Sequence, residues 1–247
     1  MKKRSPSEYK RELRLKIWRL LEEKNIVTFP RPCFNRIPNF KGNITAATYI
    51  TSSTLFRETK NVFVNPDAPQ RPIREEAIRE RKNLVMPTPK LREGFLVIEA
   101  GSVPLGKERY ASTIRGAFKY GKKVLLPRLR IDLKITGSVA VTLNGARLGK
   151  GGGFSDLEYA ILREAGLIDE TTPVITTVHE LQVVDYIPML KHDVPVDEIY
   201  TPRGRRSVNP IYPKPKGIYW CYLEGNKIAQ IPTLKYLWEM KGHEKGS

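Results

Sequence analysis

Short apolar runs alternate with helical segments along most of this 247-residue chain. The runs are rich in Val, Ile, Leu and Phe, and apolar strands separated by helices of about ten residues are typical of a mostly parallel sheet covered on both faces. The sequence therefore predicts an α/β fold with three layers, α/β/α. The predicted strands are residues 61–64, 84–86, 95–98, 124–126, 133–141, 174–178 and 199–200.

The C-terminal part of the chain has a different composition. After residue 201, two clusters of proline and basic residues follow each other, at 202–206 and 213–217. We predict an α/β domain over residues 1–203 and, over residues 204–247, a basic linker with a small appendage. Two apolar runs flank Gly225-Asn226, a pair that favours a tight turn, so a β-hairpin followed by a short helix is expected there.

The charge of the chain is strongly positive. Lys and Arg number 43 against 26 Asp and Glu, which leaves a formal net charge of +17. Such a surface attracts polyanions, including nucleotides, polyglutamylated cofactors and RNA.

Cysteine use and hydropathy point to a reduced, cytoplasmic protein. Cys33 and Cys221 form no Cys-x-x-Cys pair, and with only three histidines a zinc site is disfavoured. No apolar run approaches the roughly 20 residues that cross a bilayer, and no signal peptide follows the basic N-terminus. We therefore expect no membrane partner, whereas the oligomeric state stays open.

A basic, glycine-dense segment over residues 147–158 predicts a phosphate-binding loop. Glycines let backbone N–H groups converge on an anion, and the following helix adds the partial positive charge of its N-terminus. The segment is neither a Walker A sequence nor a Gly-x-Gly-x-x-Gly dinucleotide turn. The alternative is a flexible turn between a strand and a helix. The candidate nucleotide-binding residues in this loop are Arg147, Gly149, Lys150, Gly151, Gly152 and Gly153.

Asp156 is the candidate ligand for Mg²⁺. It stands just beyond the loop, in the first turn of the predicted helix, where a carboxylate can hold a metal that bridges phosphate oxygens. Asp is also favoured at helix N-termini because it caps the helix, so a capping role without a metal is the alternative for Asp156.

The N-terminal helix is predicted to begin with a capping box. Ser5 and Glu8 have the required spacing, with Pro6 at the first helical position. Lys10 and Arg14 are four residues apart and therefore stand together on one face of this helix. The alternative is that this basic pair lies on a solvent-exposed face of the helix and has no binding role.

These motifs together resemble the 5-formyltetrahydrofolate cyclo-ligase (methenyltetrahydrofolate synthetase) family. The segment 149–156 is similar to its Gly-x-Gly-Lys-Gly-Tyr-Tyr-Asp signature, and 10–14 is similar to its Lys-x-x-Leu-Arg motif. The segments 37–42, 64–70, 153–158 and 177–185 look like a divergent branch, the methenyltetrahydrofolate synthetase domain-containing proteins. Animal members of that branch carry an added RNA-binding module, and because this chain shows no RNP-type aromatic motif, we expect no such module in it.

The resemblance implies an ATP- and Mg²⁺-dependent ligase that converts 5-formyltetrahydrofolate to the 5,10-methenyl form through a phosphorylated formyl group. It implies that Lys10 and Arg14 contact ATP phosphates, with Arg14 and Lys150 as the catalytic pair. Asp67 falls near a glutamate that holds the pterin in the family, and Phe154 keeps a ring where the first tyrosine of the signature stands. Both are therefore candidate substrate-binding residues.

Two departures from the signature support a different class of function. Gly152 stands where the family has lysine, and Ser155 stands where it has the second tyrosine. The alternative hypothesis is a catalytically altered scaffold that binds a nucleotide or RNA, in keeping with the basic tail.

His179 and His192 each precede an acidic residue, which is compatible with a catalytic role. A histidine that follows an apolar run more often satisfies a backbone partner than moves a proton. A structural role is therefore the favoured interpretation of both.

Overall fold

An eight-stranded, mostly parallel sheet forms the centre of the computed structural model, which describes residues 5–223 and 225–244. The strands are β1 (Asn61–Val64), β2 (Asn83–Pro87), β3 (Phe95–Ile98), β4 (Lys122–Val124), β5 (Leu133–Gly137), β6 (Ala140–Val141), β7 (Arg147–Leu148), β8 (Val174–Thr177), β9 (Glu198–Thr201) and β10 (Gly204–Arg206). The order in the sheet is β10-β9-β8-β5-β1-β2-β3-β4, and β6 pairs separately with β7. The five strands from β9 to β2 in this order run parallel, with antiparallel strands at both edges. The predicted sheet is confirmed.

Helices cover both faces of this sheet. They are α1 (Pro6–Glu23), α2 (Asn43–Thr51), α3 (Thr54–Glu58), α4 (Arg71–Arg79), α5 (Glu108–Ala111), α6 (Ile114–Tyr120), α7 (Phe154–Glu164), α8 (Gly225–Gln230) and α9 (Pro232–Glu244). Along β1, Phe63 packs with residues of α7 and α9, whereas Val62 and Val64 pack with residues of α2 and α4. Because successive strand side chains point to opposite faces, both faces are buried, as the three-layer prediction requires. No described helix is long and apolar enough to cross a membrane.

Helix α1 begins at the predicted capping box and packs beside β7. The Glu8 backbone N–H donates to Ser5 Oγ at 3.2 Å, and the Ser5 backbone N–H donates to Glu8 Oε2 at 2.9 Å. Leu13, Ile17 and Leu21 recur on one face and are buried against apolar residues of β6 and β7. This packing places the basic face of α1 next to the glycine loop that follows β7.

The predicted C-terminal hairpin is wrong. Residues 220–222 form a 3-10 turn and Gly225 opens helix α8, so the expected second strand is helical. Ile228 and Ile231 are three residues apart, a spacing that is compatible with a helix and with a short strand. The helix is favoured because Ile231 and Leu234 are buried in the apolar cluster that contains the buried residues of α7. The predicted helix over 233–240 is confirmed within α9. The division of the chain at residue 203 stays a prediction.

A buried ion pair joins the central strand β5 to α7. Lys134 Nζ lies 3.7 Å from Glu158 Oε2, and both side chains are nearly inaccessible. This distance is too long for a hydrogen bond, and Nζ lies instead 3.8 Å from the centre of the Phe63 ring. The carboxylate of Glu158 is better satisfied, because it accepts a hydrogen bond from Asn65 Nδ2 at 2.7 Å.

Burial moves both members of this pair toward their neutral forms. Loss of hydration lowers the pKa of Lys134 and raises the pKa of Glu158, and the opposite charge of the partner resists each shift. Each charge therefore offsets part of the free-energy cost of burying the other.

We predict that Lys134→Met makes stability strongly dependent on pH. It would leave Glu158 as a buried carboxyl without a cation, at a cost of about 3–5 kcal/mol in the free energy of unfolding at pH 8. A carboxyl whose pKa is raised by folding holds its proton more tightly in the folded state. Its favourable contribution is therefore complete below the unfolded pKa and is lost as the pH rises through the folded pKa. Urea denaturation at pH 5 and pH 8 should show the smaller loss at pH 5.

Two further variants control for this effect. Lys134→Met combined with Glu158→Gln removes both charges and should abolish the added pH dependence. Lys82→Met removes another buried lysine, whose Nζ donates to the Thr59 carbonyl at 2.9 Å and pairs with the partly exposed Glu80. That variant should lose stability equally at both pH values, and an equal pH slope in the two single variants would contradict the prediction.

Candidate functional site

The glycine loop between β7 and α7 has a backbone that suits anion binding. Gly151 and Gly153 adopt φ values of +115° and +67°, in the left-handed region that other residues resist. Gly153 caps the N-terminus of α7, and no side chain bonds to the helix there. The first N–H groups of α7 are therefore available to an anion in the loop.

Helix α1 supplies two basic side chains to this loop. Arg14 Nε donates a hydrogen bond to the Gly149 carbonyl at 2.7 Å, and its guanidinium lies beside Gly151. Burial lowers the pKa of Arg14, and the carboxylates of Asp193 and Asp156 oppose that shift. Lys10 forms an ion pair with Asp193 at the same end of the cleft. The two residues therefore face the loop rather than forming a solvated flank.

Arg147 and Asp156 form a buried ion pair at the base of the loop. The Arg147 guanidinium also donates from Nε to the Val194 carbonyl at 3.2 Å and from Nη1 to the Gly137 carbonyl at 3.3 Å. Asp156 Oδ1 accepts, besides Arg147, the Val194 backbone N–H at 3.0 Å. The pair thus connects the residue before the loop, the first turn of α7 and the segment around Val194.

Lys150 extends from the loop to the opposite side of the cleft. Its Nζ donates to Asp67 Oδ1 at 2.7 Å, and about half of its side chain is exposed. Arg74, which is buried, donates to the carbonyl of Asp67 at 3.0 Å and so holds the segment after β1 in place. The side chain of Asp67 therefore reaches Lys150 instead of bracing its own turn.

One cleft of about 700 Å³ brings together all the candidate site residues. It is also lined by residues at the carboxyl ends of the parallel strands β1, β2 and β5, where ligands gather in sheets of this kind. The predicted residues that line it are Lys10, Arg14, Asp67, Arg147, Gly149, Lys150, Gly151, Gly152, Gly153, Phe154 and Asp156. Their roles in binding and catalysis stay predictions.

The cleft also contains polar residues that sequence reasoning did not select. Asn65 and Glu158 are bonded to each other below the loop, and His192 and Asp193 line the end near α1. The position of Asn65 directly after a predicted strand is a signal that could have identified it. No sequence signal places His192 and Asp193 there, because the loop that carries them meets α1 only in the tertiary structure.

The two departures from the family signature have structural consequences. A Cβ on Gly152 would lie 2.9 Å from Cδ2 of Phe154, so a lysine there requires the Phe154 ring to move. Ser155 Oγ lies 2.7 Å from Thr136 Oγ1 and 3.3 Å from Asn65 Oδ1, and it thereby ties α7 to the ends of β5 and β1. A side chain at residue 152 therefore needs a different position of the Phe154 ring, and residue 155 has an internal bonding role.

The surroundings of Asp156 fit a metal ion that brings other ligands with it. Both of the hydrogen bonds that Asp156 accepts, from Arg147 and from Val194 N–H, go to Oδ1. Among residues 5–223 and 225–244, no group of three or more His, Cys, Asp or Glu side chains is arranged to hold a metal. Mg²⁺ is commonly held by one or two carboxylates together with phosphate oxygens and waters, and Asp156 fits that mode of binding.

The histidines occupy different environments. His179 Nδ1 accepts the Leu181 backbone N–H at 3.2 Å, and burial lowers the pKa of this imidazole. These contacts agree with the structural interpretation of His179. His192 lies in the cleft, and its Nδ1 is buried without a hydrogen-bond partner.

Comparison with known proteins supports the fold and identifies the family. The 5-formyltetrahydrofolate cyclo-ligase family model matches residues 6–202. Methenyltetrahydrofolate synthase domain-containing protein of Danio rerio is 40% identical over 235 residues, 93% of this chain and 62% of the relative. The Homo sapiens protein of the same name is 38% identical over 242 residues, 96% of this chain and 63% of the relative. The chain thus spans a little under two thirds of the length of these relatives.

A solved structure shares the fold. The NMR structure of Aquifex aeolicus 5,10-methenyltetrahydrofolate synthetase aligns with a TM-score of 0.50 at 20% identity, over 81% of this chain and 92% of that one. The family match covers the glycine loop, the two basic residues of α1 and all the parallel strands. The chain therefore belongs to the 5-formyltetrahydrofolate cyclo-ligase family.

Proposed function

We propose that the protein uses ATP and Mg²⁺ to convert 5-formyltetrahydrofolate, or a related formyl-pterin, to its 5,10-methenyl form. The observation that carries this proposal is the convergence of Arg14, Lys150 and the glycine loop with Asp67 in one cleft. Membership of the cyclo-ligase family supports the folate-related chemistry.

The proposed reaction consists of two transfers. The γ-phosphoryl group of ATP moves to the formyl oxygen, and ADP is released. N10 of the substrate then bonds to the activated formyl carbon and loses its proton, while the bond from that carbon to the phosphorylated oxygen breaks. The products are the 5,10-methenyl compound, ADP and inorganic phosphate. Such transfers need positioning and charge neutralisation more than a protein nucleophile.

The phosphate half of the site supplies positive charge from two directions. Lys150 and the N–H groups at the start of α7 contribute it from the loop side, and Arg14 contributes it from α1. In this proposal Lys150 leaves Asp67 when a phosphate is bound, because its ammonium group is half exposed and free to turn. Arg147 acts by holding the loop, since its side chain is buried and its guanidinium bonds to Val194, Gly137 and Asp156.

The substrate half of the site lies around Asp67 and Phe154. Asp67 would accept hydrogen bonds from the N–H groups of a pterin, and the Phe154 ring would contact its face. Mg²⁺ held on Asp156 would neutralise charge on the phosphate oxygens. These assignments rest on the position of each residue in the cleft.

A catalytically altered scaffold that binds nucleotide is the second candidate. The glycine at residue 152 favours it, because the positive charge that the family signature places there is missing from this chain. RNA binding by the basic tail has weaker support, since Arg205 is paired with Glu198 at 2.6 Å and Lys214 with Asp197 at 2.7 Å.

We predict that the purified protein forms a methenyl product in the presence of MgATP and 5-formyltetrahydrofolate, followed by absorbance. Lys150→Ala should lower kcat/KM by about 10²–10³-fold, because one charge that stabilises the transferring phosphoryl group is lost. Lys107→Ala, which removes an exposed lysine outside the cleft, should leave the rate near that of the wild type. Nucleotide binding without ATP-dependent product from several formyl-pterins would instead favour the altered scaffold.

We predict that MgATP raises the Tm of the wild type by about 5–10 °C at 100 times its Kd. Asp156→Asn keeps an oxygen for Arg147 and for Val194 N–H but removes the negative charge. ATP alone should still raise the Tm of this variant, but adding Mg²⁺ should not raise the Tm further. Asp132→Asn is the control, since Asp132 accepts backbone N–H groups at the start of β1, outside the cleft. A full Mg²⁺ increment in Asp156→Asn would refute the metal assignment.

A further inference from the structure

A second cavity of about 120 Å³ adjoins the glycine loop on the side away from Asp67. Its outer wall comes from the C-terminal tail, through Tyr219, Tyr222 and Lys227, and its inner wall from Phe154 and His192. A single water needs about 10–15 Å³ of such space, so the cavity has room for a flat ring system.

The wall of this cavity is unusually rich in aromatic rings. The Tyr219 and Tyr222 rings stack with centres 5.8 Å apart and planes 28° apart. His192 meets Tyr222 edge to face at 5.7 Å. Tyr222 is more than half exposed, so its ring is accessible to a ligand. Aromatic faces of this kind bind nucleic-acid bases by stacking.

The cavity and the candidate cleft adjoin at the glycine loop. Both are lined by the same five residues: Gly152, Gly153, Phe154, Asp156 and His192. A ligand whose phosphates lie on the loop can therefore extend a ring into the cavity. Asp67 lines the cleft and not this cavity, whereas Phe154 lines both. The Phe154 ring therefore lies between the proposed pterin position near Asp67 and the cavity.

A polar group at the boundary lacks a partner. His192 Nδ1 is buried and has no hydrogen-bond partner in the described structure, while its Nε2 lies 4.0 Å from Asp193 Oδ1. A buried polar atom without a partner is costly, and a heteroatom of a bound ring would satisfy it.

We propose that this aromatic cavity, formed by Tyr219, Tyr222 and His192, binds the base of the nucleotide whose phosphates lie on the glycine loop. Of the four aromatic residues that line it, Tyr219 and Tyr222 come from the tail, beyond the family match to residues 6–202. The tail thereby completes the nucleotide site. This inference rests on the proposed ATP dependence.

The test compares ATP with inorganic tripolyphosphate, which lacks the base, by calorimetric titration in the presence of Mg²⁺. Tyr222→Leu should weaken ATP binding by about 5- to 150-fold, the range that corresponds to stacking of one base. It should change tripolyphosphate binding less than twofold. Tyr236→Leu, which alters a partly exposed tyrosine of the same tail outside the cavity, should bind both ligands as the wild type does.

His192→Ala should show the same selective loss and serves as a second variant if Tyr222→Leu is unstable. Equal weakening of ATP and tripolyphosphate would overturn the proposal, because the tail would then only support the loop. Unchanged ATP affinity in both variants would overturn it while leaving the proposed function intact. Failure of the wild type to bind either ligand would refute the proposed function and the base site together.

Discussion

The ion pair between Arg147 and Asp156 holds the candidate site together. Arg147 precedes the glycine loop and Asp156 follows it, so their contact closes the loop at its base. Both also bond to the backbone of Val194, which brings the segment carrying His192 and Asp193 to the same place. Removing one partner of a buried pair leaves an uncompensated charge, at a cost of about 3–5 kcal/mol. The shape of the loop and the position of its neighbours therefore depend on this contact.

The positive charge around the loop comes from elements that are distant in sequence. Packing of α1 against β6 and β7 brings Arg14 to the Gly149 carbonyl, and Lys10 is held there by Asp193. Like charges repel, and the three carboxylates of Asp67, Asp156 and Asp193 offset this repulsion in the absence of a phosphate. Under the proposed function, a bound phosphate would displace some of these contacts.

Much of the fold and many site residues followed from local pattern. The strand runs, the capping box at Ser5 and the glycine loop each depend on a few neighbouring residues, and the structure contains the capping box, the loop and a strand at each run. Two strand predictions have wrong bounds, because the run 124–126 overlaps β4 only at Val124 and the run 133–141 is divided between β5 and β6. The C-terminal hairpin failed for the opposite reason. A run of five residues around Ile228 fits a strand and a helix equally, and only burial of Ile231 against the α7 core decides between them.

The sequence by itself determined the α/β architecture, the glycine-rich and basic character of residues 147–158 and the basic face of α1. Periodicity, glycine content and charge depend only on residues that are close in sequence, so they indicate structure without knowledge of distant contacts. Only the tertiary structure decided that Asp193 meets Lys10, that the Phe154 ring lies against Gly152 and that Tyr222 stands beside His192. Each of these contacts joins side chains whose separation depends on how helices, loop and tail pack, and no local pattern encodes that distance.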